Sequence, residues 1–425
     1  MVRFVCCSRA RGTSGAGVRY APSHRVLFAC VASGSVRKRR GFGIRAGIGG
    51  MGRGEMASGV DEYTLGVEEE YQIVDPETRE LRSAGGRVVE RARPEAGEGD
   101  VTAELMASQV ETVSPVCRTL AEVRAEISRL RRAVIRAAGE EGRIVAASTH
   151  PFSHWRDQVV TPKERYRVLI EAYQQLAQEQ LVFGFHVHVG IKDRESALRV
   201  MNRLRVWLAP LLALSANSPF WIGEDSGYAS YRTQVWGRFP VSGPPGLFAS
   251  RAEHDALVEA LVRTETVEDA TKIYWDARLP EKTDTIEVRV ADVCPRIDEA
   301  VMLAGLSRAL VRSCFERDGR EEPYPAARPE LLRAAHWRAS RYGLEGELVD
   351  VEEGRVVPAG YEIQKLLDFA RPALEELGDW DEVSAIVRET LKHGNGATRQ
   401  RAVYGRTGRL ESVVDMLAEE TAQGT

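Results

Sequence analysis

Cysteine is scarce in this sequence, and its spacing excludes the common cysteine-based sites. Only six of the 425 residues are Cys, and three of those six fall within the first 30 residues. The others, Cys117, Cys294 and Cys314, form neither a CxxC pair nor a disulfide framework. We expect these three to be inert buried thiols in a protein of the reducing cytoplasm.

Long apolar runs and a basic body are also missing. The longest strongly apolar run, residues 206–216, is much shorter than the ~20 residues that a membrane-spanning helix needs. The formal net charge is −4, but residues 1–50 contain ten Lys or Arg and no acidic residue. The remainder therefore holds 48 basic against 62 acidic residues, a net charge of −14. An acidic body argues against nucleic-acid binding, so we expect neither a nucleic acid nor a membrane as partner.

The basic N-terminal segment differs in composition from the rest of the chain. Residues 1–60 are rich in Gly, Arg, Ser and Ala without periodicity, which indicates a disordered extension. A signal peptide over 26–32 and a twin-arginine signal at Arg39-Arg40 are the alternatives. We favour a start-site artefact, with Met51 or Met56 as the true first residue. No long linker interrupts 61–425, so we expect one catalytic domain there.

Periodicity predicts a mixed α+β fold. Strand-like runs cover 63–74, 143–149, 181–191 and 284–291. Helices are predicted over 120–138, 162–181, 194–216, 253–263, 295–318, 328–342, 361–377 and 380–393. Turn-rich loops are predicted over 217–250 and 392–409.

Three of the strand-like runs carry polar side chains two residues apart, which places each pair on one face of its strand. The pairs are Glu68 with Glu70, His186 with His188, and Glu287 with Arg289. Isolated buried carboxylates are costly unless they are paired or bound to a metal. The pattern therefore predicts a charged cavity, walled by a sheet, that binds cations. Glu69 would point away from it.

Two further carboxylates, Glu104 and Glu111, lie seven residues apart before Ser114-Pro115. Without the other motifs, these two carboxylates would be interpreted as solvent-facing. His186 and His188 could likewise be core residues of the sheet. Taken together, five carboxylates in one cavity require roughly two or three divalent cations. Ligation dominated by oxygen indicates Mg²⁺ or Mn²⁺ rather than zinc.

Arginines form the second group of candidates. There is no Walker A sequence and no GxGxxG after a strand, so phosphate binding would depend on cations and guanidinium groups. Each arginine could equally form a surface salt bridge. The candidates are Arg232, Arg278, Arg289, Arg338, Arg341, Arg399 and Arg401.

Six motifs in order resemble the type 2 glutamate–cysteine ligase family, the bacterial carboxylate–amine ligases, over about 61 to 410. They are Gly66-Val-Glu-Glu-Glu-Tyr71, Glu104 and Glu111 before Ser114-Pro115, Phe185-His-Val-His-Val-Gly190, Ser215 to Phe220 with Gly227 to Arg232, Thr285 to Asp292, and Gly394 to Arg401. The family is similar to glutamine synthetase. The resemblance implies a curved, mostly antiparallel sheet funnel with helices packed outside, holding ATP and two or three Mg²⁺.

The resemblance also implies roles for particular residues. Glu70, Glu104 and Glu111 would hold one metal, and Glu68, His186 and Glu287 the other. His188, Arg289, Arg341 and Arg401 would bind the nucleotide, and Arg289 would also bind either the transferring phosphoryl group or the substrate carboxylate. Arg232 would bind an amino acid, and Arg399 would belong to a lid formed by the 394–401 turn.

The reaction implied is amide formation through an acyl phosphate, giving γ-glutamylcysteine from glutamate and cysteine in a homo-oligomer such as a dimer. Three other functions remain open at this point. One is a guanidino-kinase-like phosphotransferase, and another is an ATP-independent metallohydrolase that uses His186 and His188. The third is a non-catalytic ATP- or amino-acid-binding protein that has kept the fold.

Overall fold

Seven strands form one antiparallel sheet in the computed structural model, which describes residues 62–325 and 327–425. The predicted extension over 1–60 lies outside the described residues. The strands are β1 (Leu65–Val74), β2 (Asp100–Ala103), β3 (Gln109–Val113), β4 (Arg143–Val145), β5 (Gly184–Gly190), β10 (Ala277–Arg278) and β11 (Thr285–Asp292). The strand order is β10-β11-β5-β1-β3-β2, and β4 pairs with the end of β1.

Three small two-stranded sheets lie outside the main sheet. They pair β6 (Phe220–Trp221) with β7 (Glu224–Asp225), β8 (Ser242–Gly243) with β9 (Tyr274–Trp275), and β12 (Glu347–Asp350) with β13 (Arg355–Pro358). Strands β8 and β9 pair in parallel, whereas the other two pairs are antiparallel.

Helices account for most of the remaining described residues. They are α1 (Gly85–Ala92), α2 (Leu120–Ala138), α3 (Glu164–Tyr173), α4 (Gln175–Gln178), α5 (Arg194–Leu204), α6 (Leu208–Ser215), α7 (Tyr231–Trp236), α8 (Arg251–Arg263), α9 (Ile297–Gly319), α10 (Pro329–Tyr342), α11 (Ala359–Leu377), α12 (Trp380–His393), α13 (Gly396–Thr407) and α14 (Leu410–Ala422). None of the described helices is long and apolar enough to cross a membrane.

The sheet has one face in the core and one face lined with polar groups. Along the first half of β1, Leu65, Val67 and Glu69 are buried while the residues between them are partly open. Helices α2 and α9 cover the buried face, and α2 begins at Thr119, whose side chain accepts a hydrogen bond from the Glu122 amide. The period of two in β1 therefore assigns one face to packing and the other to chemistry.

Most predicted elements are confirmed, including all four strand runs. The predicted helix over 162–181 is interrupted at Gln174, whose φ is 51°, and the one over 194–216 is divided between α5 and α6. The predicted loop over 217–250 contains the short helix α7. The loop predicted over 392–409 is wrong, because residues 396–407 form α13 and Asn395 caps its first turn.

Candidate active site

The cross-strand register brings the predicted polar pairs together. Glu68 on β1 lies opposite His186 on β5, and His188 lies opposite Glu287 on β11. On the other side of β1, Glu70 lies opposite Glu111 on β3. We call this surface the carboxylate face; it comprises Glu68, Glu70, Glu111, His186, His188, Glu287 and Arg289, with Glu104 at the end of β2.

Glu68 is at the centre of the carboxylate face and contacts both histidines. Its Oε2 lies 2.9 Å from Nδ1 of His186, and its Oε1 lies 3.2 Å from Nε2 of His188. Burial would raise the pKa of Glu68, but the hydrogen bonds with the two imidazoles outweigh this and hold the pKa well below its usual value. Burial and the charge of Arg289 lower the pKa of His186 to about 4. A neutral His186 ring has a lone pair available for a cation.

Glu287 is held by two arginines. Arg278 on the edge strand β10 donates from Nε to Oε2 at 2.7 Å, and Arg289 donates from Nη1 to Oε1. Burial opposes ionisation, but the charges of Arg289 and Arg278 hold the pKa of Glu287 far below its usual range. The Nε of Arg289 is buried with no hydrogen-bond partner among the described residues. Arg289 therefore keeps a donor for a further anionic group.

The three carboxylates Glu70, Glu104 and Glu111 repel one another. Burial, followed by the charge of Glu104, raises the pKa of Glu70 to about 7. Burial, followed by the charges of Glu104, Glu68 and Glu70, holds the pKa of Glu111 well above its usual value. Burial also raises the pKa of Glu104, although Arg165 lies 3.3 Å away. Clustered carboxylates with raised pKa values are the arrangement that a divalent cation stabilises.

Two sets of side chains on this face could each hold a metal ion. Glu68, Glu111 and His186 offer ligand atoms within 4.8 Å of one another, and so do Glu68, His188 and Glu287. Both sets combine carboxylate oxygens with one imidazole and contain no thiolate, which fits Mg²⁺ or Mn²⁺. These sets differ from those that the resemblance implies. Glu68 belongs to both sets, and His188 rather than His186 lies in the set with Glu287.

A cavity of about 450 Å³ opens beside Glu68, His188 and Glu287. Its far wall is formed by α8 and by residues 270–283, which supply apolar side chains such as Val258, Ile273 and Leu279. The rim carries cationic side chains that sequence reasoning did not select, namely Arg194, Arg251 and Lys282. A part-apolar cavity with basic groups at its edge and a carboxylate face at its base can take a phosphorylated ligand.

Arg232 lies immediately behind the carboxylate face. It is buried, and its guanidinium nitrogens donate to the backbone oxygens of Arg289 and Val290 at 3.3 and 3.4 Å. A Cβ on Gly184 would lie 2.6 Å from Nη2 of Arg232 and 3.0 Å from Nε2 of His186. Only glycine leaves room at this position, and the Gly184 amide donates to Oε2 of Glu70 at 2.6 Å. Arg232 thus contacts the site without reaching its centre.

The other predicted arginines lie elsewhere. Arg341 donates to the Gly227 carbonyl oxygen in the loop after β7, and Arg401 donates to Asp225 at the end of β7 at 2.7 and 2.9 Å. Arg399 is fixed by ion pairs to two carboxylates on α9 and α14, Glu299 and Glu420. The structure does not bring these three side chains into contact with the carboxylate face. Arg338 likewise binds Glu347, outside the site.

Some functional contacts could not be selected from the sequence. Thr285 bonds to Nδ1 of His188 at 3.1 Å and so orients the ring, but nothing in the sequence distinguishes it from other strand threonines. Glu69 was expected to face away from the site, and it does. It forms a buried ion pair with Arg131 on α2, and the hydroxyl of Tyr71 donates to it. All three described cysteines are free and buried, as predicted, and burial raises the pKa of Cys117 to about 11 and of Cys314 to about 12.

The sequence of this chain is similar to those of known proteins. The model of glutamate–cysteine ligase family 2 matches residues 64–416. A Frankia alni protein with the provisional name glutamate–cysteine ligase 2-2 is 45% identical over 84% of this chain and 97% of its own length. A Sorangium cellulosum protein with a similar provisional name is 42% identical over 85% of this chain and 97% of its own.

Solved structures show the fold. The glutamate–cysteine ligase of Francisella tularensis, solved with AMP, superposes with a TM-score of 0.64 at 12% identity, covering 85% of this chain and 89% of that one. A bifunctional glutathione synthetase from Pasteurella multocida gives a TM-score of 0.61 at 18% identity, covering 86% of this chain and 53% of that one. These likenesses confirm the predicted α+β fold, in which helices pack against a mostly antiparallel sheet. The family match and the relatives together establish that this chain belongs to glutamate–cysteine ligase family 2, and that it is an ATP-dependent ligase forming carbon–nitrogen bonds.

Proposed function

We propose that this ligase joins the side-chain carboxylate of glutamate to the amine of cysteine through an acyl phosphate. The observation that carries the proposal is the carboxylate face beside a cavity with a basic rim. The reaction needs an ATP γ-phosphate, a carboxylate and an amine to meet where negative charge is neutralised. The carboxylates of this face can hold cations, and Arg289 keeps one donor without a partner. Both can neutralise the negative charge of the reacting groups.

Two divalent cations fit the ligand sets on this face. One would be held by Glu68, Glu111 and His186, with Glu70 and Glu104 beside them. The other would be held by Glu68, His188 and Glu287. A divalent cation held by these residues would supply the positive charge that phosphoryl transfer requires. The raised pKa values of Glu70, Glu104 and Glu111 support cation binding here, because like charges at this spacing are unfavourable without a cation.

The side chains of this protein orient the reacting groups. In the first step a carboxylate oxygen attacks the γ-phosphorus and ADP leaves; Arg289 is placed to bind the transferring phosphoryl group through Nε and Nη2. In the second step the amine nitrogen attacks the acyl carbon, the bond from that carbon to the phosphate oxygen breaks, and the proton lost by the nitrogen leaves with the phosphate as hydrogen phosphate. Arg278 supports this geometry by holding Glu287, which in turn orients Arg289. Residues 61–425 would carry out both steps as one catalytic domain in the cytoplasm.

Phosphate release by the full chain tests the proposal. With Mg²⁺-ATP, we expect release to require both glutamate and cysteine, and we expect mass spectrometry to detect the amide product. Glu68→Gln should lower turnover by about a hundredfold or more, because Glu68 contributes to both candidate cation sets. Glu419→Gln, an exposed glutamate on α14, is the matched control and should behave as the parent.

Different outcomes lead to different conclusions. Phosphate release that requires a different carboxylate or amine would support the two-step mechanism and show that the substrates are not glutamate and cysteine. Phosphorylation of a substrate nitrogen without amide formation would favour the guanidino-kinase-like reaction. Hydrolysis of a substrate without ATP would favour a metallohydrolase. Release that is equal in Glu68→Gln and in the parent would refute the carboxylate face as the catalytic site.

A further inference from the structure

The alternating pattern of β11 continues into the residues that precede the strand. Thr283, Thr285 and Glu287 are spaced two residues apart, and side chains with this spacing share one face of an extended chain. The hydroxyls of the two threonines are in contact, since their Oγ1 atoms lie 2.9 Å apart. Thr283 is exposed and lines the cavity beside Glu68, whereas Thr285 is partly buried. Two linked hydroxyls therefore extend from the rim of that cavity to the carboxylate face.

The inner hydroxyl contacts the ring of His188. Oγ1 of Thr285 lies 3.1 Å from Nδ1 of His188. The other ring nitrogen, Nε2, lies 3.2 Å from Oε1 of Glu68 and 4.0 Å from Oε1 of Glu287. The ring is thus held at both nitrogens, by a hydroxyl at one and by a carboxylate at the other.

The chemistry of these two partners decides which ring nitrogen carries a proton. An ionised carboxylate only accepts hydrogen bonds, so Nε2 must donate while His188 is paired with Glu68. A cation bound to Nε2 needs the lone pair of that nitrogen, so the proton of the neutral ring must then be on Nδ1. A threonine hydroxyl can donate or accept, which a backbone carbonyl or a carboxylate cannot do. Thr285 can therefore pair with Nδ1 in either form of the ring.

From these contacts we propose that Thr285 is a positioning residue for the cation set formed by Glu68, His188 and Glu287. Its Oγ1 accepts a hydrogen bond from Nδ1 and so directs the lone pair of Nε2 towards the cation. The hydroxyl proton of Thr285 is then donated to Oγ1 of Thr283. A partner on the second nitrogen of a metal-binding histidine fixes both the orientation of the ring and its tautomer. The inference rests on the cations of the proposed function and adds a residue that acts only through His188.

A purely structural role for Thr285 gives a different expectation. Valine has the branched shape of threonine but no hydroxyl, and serine keeps the hydroxyl but lacks the methyl group. If Thr285 only fills space on β11, Thr285→Val should be harmless and Thr285→Ser should be the more damaging change. If the hydroxyl positions His188, the order is reversed.

Isothermal titration with Mn²⁺, without ATP or amino acids, distinguishes the two roles. Thr285→Val should lower the affinity for one bound Mn²⁺ by about tenfold, the lower end of the range for such partners. The affinity for the other Mn²⁺ should stay near that of the parent, because the set of Glu68, Glu111 and His186 does not contain His188. Thr285→Ser should restore the parental affinity, and Thr283→Val should lower it less than Thr285→Val does.

A matched control is available at the end of α8. Thr264 is exposed, and its hydroxyl also forms a hydrogen bond, to the Leu261 carbonyl oxygen at 3.1 Å. Thr264→Val therefore makes the same chemical change away from the carboxylate face. Both Mn²⁺ affinities should be the same in this variant as in the parent.

Nitrogen-15 NMR of the histidine rings reports the position of the proton directly. In the full chain, addition of Mg²⁺ should remove the proton from Nε2 of His188 and leave a proton on Nδ1. The Thr285→Val variant should need more Mg²⁺ for this change, whereas Thr285→Ser should not.

These measurements do not depend on amide formation. Loss of one Mn²⁺ affinity in Thr285→Val with recovery in Thr285→Ser would support the inference even if glutamate and cysteine were not the substrates. Equal affinities in the parent and Thr285→Val would overturn it, and so would absence of Mn²⁺ binding to the parent. A proton that stays on Nε2 of His188 at saturating Mg²⁺ would overturn it as well.

Discussion

Protons and divalent cations should compete for the carboxylate face, and Glu70 allows the competition to be estimated. Its pKa is raised to about 7 by burial and by the charge of Glu104. If a cation requires ionised Glu70, the ionised fraction at pH 6 is about one tenth of that at high pH. The apparent affinity for Mn²⁺ or Mg²⁺ should therefore fall about tenfold between pH 8 and pH 6. Glu111, whose pKa is also raised, would add to this decrease.

The same shift predicts how stability depends on pH in the absence of cations. Folded Glu70 retains its proton up to about pH 7, whereas an unfolded glutamate loses it near 4.5. The folded state binds more protons in this window, so the contribution of Glu70 to stability is full below pH 4.5 and is lost as pH rises through 7. The loss is at most about 3 kcal/mol. A bound cation should restore stability at pH 8.

Isothermal titration with Mn²⁺ at pH 6, 7 and 8, together with thermal unfolding in chelator, measures both effects. The Glu70→Gln variant carries no titrating group at this position, so its affinity should depend less on pH and its cation-free stability should change less between pH 5 and 8. An affinity that is the same at pH 6 and pH 8 would refute the reasoning. An identical pH profile in the parent and in Glu70→Gln would refute it equally.

Three further substitutions test the surroundings of the site. Gly184→Ala places a Cβ 2.6 Å from Nη2 of Arg232, so steady-state kinetics should show a loss of turnover and thermal unfolding a loss of about 1–3 kcal/mol. Arg131→Met leaves the buried Glu69 without its partner and should lower the free energy of unfolding in denaturant by about 3–5 kcal/mol, much of it recovered in the double variant with Glu69→Gln. Arg399→Ala should destabilise the protein while kcat of the folded fraction stays unchanged; increased ATP hydrolysis without amide formation would instead support a lid.

The sequence was sufficient to predict the polar pairs at the centre of the candidate site, because a period of two is a local property. Glu68 with Glu70 and His186 with His188 share faces for reasons contained in a few residues. The pairing of those strands in register, with Glu68 opposite His186, is a long-range property that the sequence did not predict; the likeness to a family implied only that these two side chains share a metal. Glu111 is an intermediate case: its carboxylate was selected, but its strand, β3, was not predicted.

The segment around Gly394 shows why local signals can be misread. Gly-Asn-Gly is typical of a flexible turn, and it led to the prediction of a loop. In the structure Asn395 caps a helix, and Gly396 is required because a Cβ there would lie 2.1 Å from Oδ1 of Asn217. The same three residues that permit a turn also permit a capped helix packed against a neighbouring chain segment, and tertiary contact decides between them.

The difference between a flexible turn and a capped helix changes the function assigned to Arg399. A guanidinium on a mobile loop could close over a substrate, but Arg399 is bound on α13 to carboxylates from α9 and α14. Releasing it would break a largely buried set of ion pairs, and its partners would then be left unpaired at a cost of several kcal/mol. Closure of this site, if it accompanies catalysis, would have to come from segments with fewer such restraints. In the wall of the cavity beside Glu68, residues 281–283 meet that condition better, because Glu281 and Lys282 are exposed there and line the opening.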